Sequence, residues 1–181
     1  MTPIRRLYGK IQTFRAQERF VQMWFLPAWT LLGLSRLSIR IVSFRRLAPR
    51  LGVSVGPVNW IPLLPDALEH RASRIGRTVR LAARSTPWDS NCLTQAVAAR
   101  VLLGFYRVPY AVYFGVLHAP ADQEYRAHAW IAAGRVQVTG GSGFGRYTVV
   151  GCFVAPRLAR KPLAAGIREH APLKTSTRGF Q

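Results

Sequence analysis

From Phe20 to Ser35 the chain runs sixteen residues without a charge, rich in Trp, Phe and Leu and bounded by Arg19 and Arg36. Something must take such a run out of water, which excludes a chain that stays disordered throughout. It falls short of the roughly 20 apolar residues that a bilayer span needs, and Gln22, Pro27 and Gly33 weaken it further. The apolar pattern continues through Leu37, Ile39, Ile41 and Val42, interrupted by Arg40 and followed by Arg45 and Arg46. The segment therefore reads as helical with a break near Pro27, whose ring removes a backbone donor and crowds the preceding turn. Two covers are open to it: the chain's own core, or an anionic membrane or partner protein met by a basic amphipathic surface. Arg5, Arg6 and Lys10 precede the run, but no small-residue cleavage site follows convincingly, so export is discounted. The expected location is cytoplasmic, with the inner membrane face as a peripheral docking place.

At 181 residues and 49% hydrophobic content there is material for one core and hardly for two. Lys and Arg total 26 against 7 Asp and Glu, a formal charge of +19, and the only lysines are Lys10, Lys161 and Lys174. That balance calls for an anionic partner or a strongly self-repelling surface. Carboxylate chemistry is confined to Glu18, Asp66, Glu69, Asp89, Asp122, Glu124 and Glu169, which leaves few metal or two-carboxylate mechanisms. Cys92 and Cys152 are too few for a disulfide framework, and a reducing compartment fits them better.

Residues 51–65, LGVSVGPVNWIPLLP, read as a connector with extended pieces. A helix is expected over Asp66–Arg84, with Leu68, Ala72, Ile75 and Val79 on one face and Arg71, Arg74, Arg77, Arg80 and Arg84 on the other. The arginine face could be solvated, or could bind phosphates or an acidic peptide. No zinc-finger spacing, RNA-binding aromatic motif or Lys-rich tail accompanies it, so nucleic acid is not an expected partner.

Asp89, Ser90 and Asn91 are all good N-cap residues, and a buried helix ending at Gly104 follows them, with Cys92 in or beside its first turn. Unpaired N–H groups and the positive end of the helix dipole at Cys92 favour a thiolate; the alternative is a small core residue. Strands are expected over Val108–Val116, Ala127–Ile131 and Val136–Thr139, with a loop over His118–Glu124. A hairpin centred on Ala133–Gly134 would set His128 opposite Thr139, with Trp130 and Gln137 on the same face. A helix-start Cys packed against a sheet that presents His is what a thiolate–imidazolium pair requires. His118, His70 and His170 read as surface residues, Cys152 as a buried strand residue, and no paired spacing supports a metal site. The run Gly140-Gly141-Ser142-Gly143-Phe144-Gly145 lacks the Lys-Ser/Thr of a phosphate loop and reads as a flexible loop beside the hairpin. From Ala155 onward a mobile basic tail is expected.

The segments NCLTQAVAARVLLGFYRVPYAVYFGV, YRAHAWIAAGRVQVTGG and RYTVVGCF resemble the leader-peptidase B proteins of lasso-peptide biosynthesis, a branch of the transglutaminase-like cysteine peptidases. The resemblance covers about Ile75 to Phe153. It implies an α+β fold: a transglutaminase-like or papain-like core over residues 66–155, behind a basic helical front over 1–65 and before a tail over 156–181. It further implies that Cys92 attacks the scissile bond of a ribosomally made precursor, that His128 shuttles the proton, and that a thioester acyl-enzyme releases the leader. The expected partners are the precursor's leader peptide, a separate leader-recognition protein and an ATP-dependent lasso cyclase. No cofactor is expected in this chain, any ATP being used by the cyclase. The family's third residue, an Asp after the His hairpin, has no counterpart, because no carboxylate lies between Glu124 and Glu169. Thr139 or Gln137 is expected to orient the ring instead, with Asp89 or Glu169 as other sources of a carboxylate. Trp88, Trp130 and Phe144 are expected to face substrate, with Tyr147 as a further contact. Two other readings stay open: an acyl- or amide-transferring enzyme using the same Cys and His, and a non-catalytic basic scaffold.

Overall fold

The computed structural model describes residues 14–58, 61–119, 124–141 and 144–160. The apolar front forms one helix, α1 (Arg19–Ile41), which passes through Pro27 without the expected break. Pro27 lies on the exposed side of α1, where water can take the Met23 carbonyl left without a donor. A short helix α2 (Phe44–Leu51) and a strand β1 (Val53–Gly56) follow, the latter formed by the Gly/Pro-flanked connector. Helix α3 (Asp66–Ala83) starts with Asp66 and Glu69 in its first turn, the sign that suits a helix N-terminus. Helix α4 (Cys92–Phe105) is capped by Asn91.

The remaining strands are β2 (Ala111–Ala119), β3 (Glu124–Ala133), β4 (Val136–Thr139) and β5 (Thr148–Val154). A single 3-10 turn (Phe144–Arg146) precedes β5, and a short helix α5 (Pro156–Arg160) stands where the mobile tail was expected to begin. Strands β2 and β3 run longer than their apolar cores suggest, pairing as far as Ala119 and Glu124 and so shortening the loop expected over His118–Glu124. The sheet has five strands in the order β1-β5-β2-β3-β4, every described pairing antiparallel. Only β2, β3 and β4 form the expected meander. Strand β5 returns to lie between β1 and β2, so the chain between β4 and β5 must cross β3 and β2. The whole is an α+β fold.

Alternation along the strands gives the sheet two different faces. Val112, Phe114, Ile131, Ala133 and Phe153 belong to one, together with Ala99 and Leu103 of α4, Ile75 and Val79 of α3, and Ala28 and Leu32 of α1. Tyr113, Trp130, Cys152 and Val154 belong to the other, covered in part by Leu158 and Ala159 of α5. Helix α1 is thus a layer of the main core, and its inward side chains Ala28 and Leu32 are fully buried.

The hairpin between β3 and β4 is clamped to α3 by charge. Glu69 Oε1 accepts from the Arg135 amide at 2.8 Å and Oε2 from Arg135 Nε at 3.0 Å, while Asp66 Oδ1 accepts from Arg135 Nη2 at 2.9 Å. Gly134, at φ +60°, turns beneath this contact, where a methyl group would sit 2.3 Å from Glu69 Oε1. Hydrogen bonds from the Arg135 side chain, then from its amide, hold the Glu69 carboxyl below its ordinary value of 4.5. The folded state therefore binds that proton less tightly than the unfolded chain. Its stabilisation is complete above pH 4.5 and is lost as pH falls through the lowered folded value. Glu69→Gln should lower the melting temperature at pH 7, and the gap to the unsubstituted protein should close in acid; thermal melts from pH 7 down to pH 3 measure both.

Candidate functional site

Cys92 is the first residue of α4, a half-buried free thiol. Asn91 Oδ1 accepts from the Thr94 amide at 3.0 Å and from Thr94 Oγ1 at 2.9 Å. That satisfies the third helical N–H, and the helix geometry offers those of Cys92 and Leu93 no internal acceptor. The preceding loop is pinned by its own side chains. Thr86 Oγ1 lies 2.9 Å from Ser90 Oγ, Gln95 Nε2 donates to the Ser90 carbonyl at 2.7 Å, and Arg36 donates to the Asp89 carbonyl. Cys92 continues the buried stripe of Ala96, Ala99 and Leu103 by helical spacing, so it stands where the core opens at the helix start. Cys152 provides the contrast: on β5 and fully enclosed, its thiol is pushed up to about 12 by burial.

His128 lies on β3 opposite Gly115. Its Nε2 is 2.7 Å from the Gly140 carbonyl, and a carbonyl only accepts, so in the neutral ring the proton sits on Nε2 and Nδ1 keeps the lone pair. The ring stacks on Trp130 at 5.9 Å and lies 4.9 Å from Tyr147. Gly140 makes this approach possible. At φ +100° it turns over Trp130, where an added methyl would meet Trp130 Cβ at 2.3 Å.

The register corrects the expected orienting group. The turn is Gly134–Arg135, Ala132 pairs with Gln137, and after an irregularity Ile131 pairs with Thr139. Thr139 is therefore opposite Ile131, fully buried, with its hydroxyl unpartnered among the described residues. Gln137 donates to the Gly141 carbonyl. The group that reaches His128 is main chain, which no side-chain inventory could have named. Trp130, expected to face substrate, is 4% exposed and stacked on Tyr113. Trp88 packs its ring on Trp29 and against Gly33 of α1. Phe144 begins the 3-10 turn, and its side chain lies outside the described set. His170 and Glu169 lie outside the described residues altogether.

Helix α4, which begins at Cys92, and the His128 ring lie on different faces of the sheet. Leu102 and Leu103 pack in one cluster with Ile131, whereas Leu93 and Val97 pack near Phe114, which pairs with Ala129; α4 thus climbs toward His128 as it approaches Cys92. The His128 ring shares its face with Trp130 and Tyr147, and α4 covers the opposite one. Among the described residues no hydrogen bond joins the thiol to the imidazole. The described pairing of β3 with β4 ends at Ile131, and the Gly140 carbonyl just past β4 meets the His128 ring.

Electrostatics around the site follow from the shortage of acids. Glu18 pairs with Arg74 and Arg77, Asp66 and Glu69 with Arg135, and Asp89 with Arg36 at 3.5 Å. Every carboxylate whose side chain is described is thus held by arginine, and Asp89 is not a partner for His128. Among the described residues no group of three His, Cys, Asp or Glu could hold a metal ion.

A family model described as the transglutaminase-like superfamily matches residues 36–152, from the last turns of α1 to β5, and so takes in both Cys92 and His128. No curated protein and no solved structure matches the chain.

The Gly140 cradle has a direct consequence. Imidazole nitrogen NMR should report the Nε2–H form for the neutral ring of His128. Gly140→Ala should abolish that preference and cost about 1–3 kcal/mol in chemical unfolding, from backbone strain and the clash with Trp130.

Proposed function

Because the chain belongs to the transglutaminase-like superfamily, whose members are typically cysteine-dependent enzymes, we propose that it is a cysteine endopeptidase that removes the leader from a lasso-peptide precursor. The observation that carries the reading is Cys92 itself. It is the first residue of an Asn-capped helix, half-buried, with two main-chain N–H groups beside it, in a superfamily whose members typically depend on a cysteine.

In this reading the Cys92 thiolate attacks the scissile carbonyl, and the Cys92 amide donates to the oxyanion. The amine leaves with a proton, and water cleaves the resulting thioester to free the leader. His128 supplies and recovers the proton through Nδ1, the nitrogen that the Gly140 bond leaves open. With a carbonyl in place of a carboxylate on Nε2, the imidazolium is less stabilised and turnover is slow. The chain acts with a separate leader-recognition protein and delivers the new amine to an ATP-dependent cyclase. The basic surface draws in an acidic leader, and salt weakens that attraction.

One observation favours a second reading. Helix α4 packs on one face of the sheet and the His128 ring on the other, with no hydrogen bond between thiol and imidazole among the described residues, as suits a protein that keeps the fold to bind a leader and has given up turnover. Mass analysis of a precursor incubated with the protein and its recognition partner separates the two. Cys92→Ala should abolish cleavage, and His128→Ala should slow it by about 10²–10⁴-fold. Cleavage by the Cys92→Ala protein at the unsubstituted rate overturns the assignment. Binding of the leader with no cleavage by either form establishes the binding role, and a product carrying a free-amine acceptor establishes acyl transfer.

A further inference from the structure

Helix α1 is apolar on two sides, and only one of them is covered. Its inward face carries Val21, Ala28 and Leu32, all fully buried. Its outward face carries Met23, Leu26, Leu34, Leu37 and Ile41, each between 54% and 73% exposed. Pro27 and Thr30, both exposed, complete the same stripe at spacings of three and four. From Met23 to Ile41 this strip is about 27 Å long at 1.5 Å per residue, and no charge interrupts it. Contiguous exposed apolar surface of this extent marks a place where something docks.

The surrounding charge identifies what. Between Glu18 and Asp66 the sequence holds six arginines and no acid. Arg19 stands at the start of α1, and Arg40, Arg45, Arg46 and Arg50, all exposed, gather at its end and along α2. A second copy of the chain would bring +19 against +19. An anionic bilayer surface offers both requirements at once, acyl chains for the apolar strip and headgroups for the guanidinium groups. Helix α1 is not long and apolar enough to cross a membrane, so it would lie along the interface.

We propose that the outward face of α1, with the arginines that flank it, docks this protein onto an anionic membrane surface. The proposal is independent of the Cys92 chemistry. Vesicles of phosphatidylcholine, with and without phosphatidylglycerol, test it by co-sedimentation and by hydrogen exchange. The full chain should sediment with the phosphatidylglycerol vesicles and stay free of pure phosphatidylcholine. Raised salt should release it, and exchange along residues 23–41 should slow on the vesicles. The double variant Leu34→Glu/Leu37→Glu should bind at least about tenfold more weakly, since two exposed leucines then cannot enter the interface. Exchange in the unsubstituted protein carries the test even where that variant fails to fold. Absence of binding, or equal binding by a folded double variant, overturns the proposal. So does exchange along 23–41 that slows with protein concentration in the absence of lipid, since a second copy then covers the face.

Discussion

The burial of α4 between a sheet and two helices is the constraint on which the rest of the structure depends. Thr94, Ala96, Val97, Ala98, Ala99, Leu102 and Leu103 are all buried, a set too wide for one face, and only a helix enclosed on most sides needs it. The small side chains of this helix let its neighbours approach closely. Helix α1 supplies one wall through Phe20, Ala28 and Leu32, α3 another through Ile75 and Val79, and the sheet a third through Val112 and Ile131. With most of its body enclosed, α4 meets solvent along Gln95, Arg100 and Val101 and at its ends, and at the N-terminal end stands Cys92. The position of the thiol is a consequence of core packing, and the loop bonds of Thr86, Ser90 and Gln95 fix the approach to it.

The imidazole is governed by a different part of the fold. Because β5 inserts between β1 and β2, the chain leaving β4 must cross two strands. Gly140, at the start of that crossing, turns back over Trp130, and its carbonyl meets His128. The Trp130, Tyr147 and Gly140 contacts therefore form one unit, built by the crossover and independent of α4.

Local signals made much of this legible in the sequence. The three- and four-residue spacing of Leu68, Ala72, Ile75 and Val79 gave α3 to within a residue, and the run of cap residues Asp89, Ser90 and Asn91 placed the start of α4 near Cys92. The hairpin was visible because Gly134 marks its turn. What could not be read depends on partners distant in the chain. An irregularity after Ala132 shifts the register, moving Thr139 opposite Ile131 and away from His128. Trp130 resembles a site residue in sequence and is a core residue in the fold, since only the pairing with Tyr113 shows that its face is covered. Glu69 is one of seven carboxylates in the sequence, and only the hairpin folding over α3 reveals it as the anchor for Arg135. Pro27 was misread because helix breaking was judged without knowing which side faced water.

The scarcity of carboxylates links the site to the surface. Glu18, Asp66, Glu69 and Asp89 are each spent on arginines that fasten helix to helix, hairpin to helix, or loop to helix. A chain with so few acids uses them to tie its elements together through arginine, and His128 is held by main chain instead. The same economy leaves the region between Glu18 and Asp66 purely cationic. Had acids been interspersed along α2 and the end of α1, the exposed strip of α1 would be a poor match for an anionic surface and a better one for another protein. One compositional bias thus shapes both features: a site oriented by a carbonyl, and an apolar helix face bordered only by positive charge.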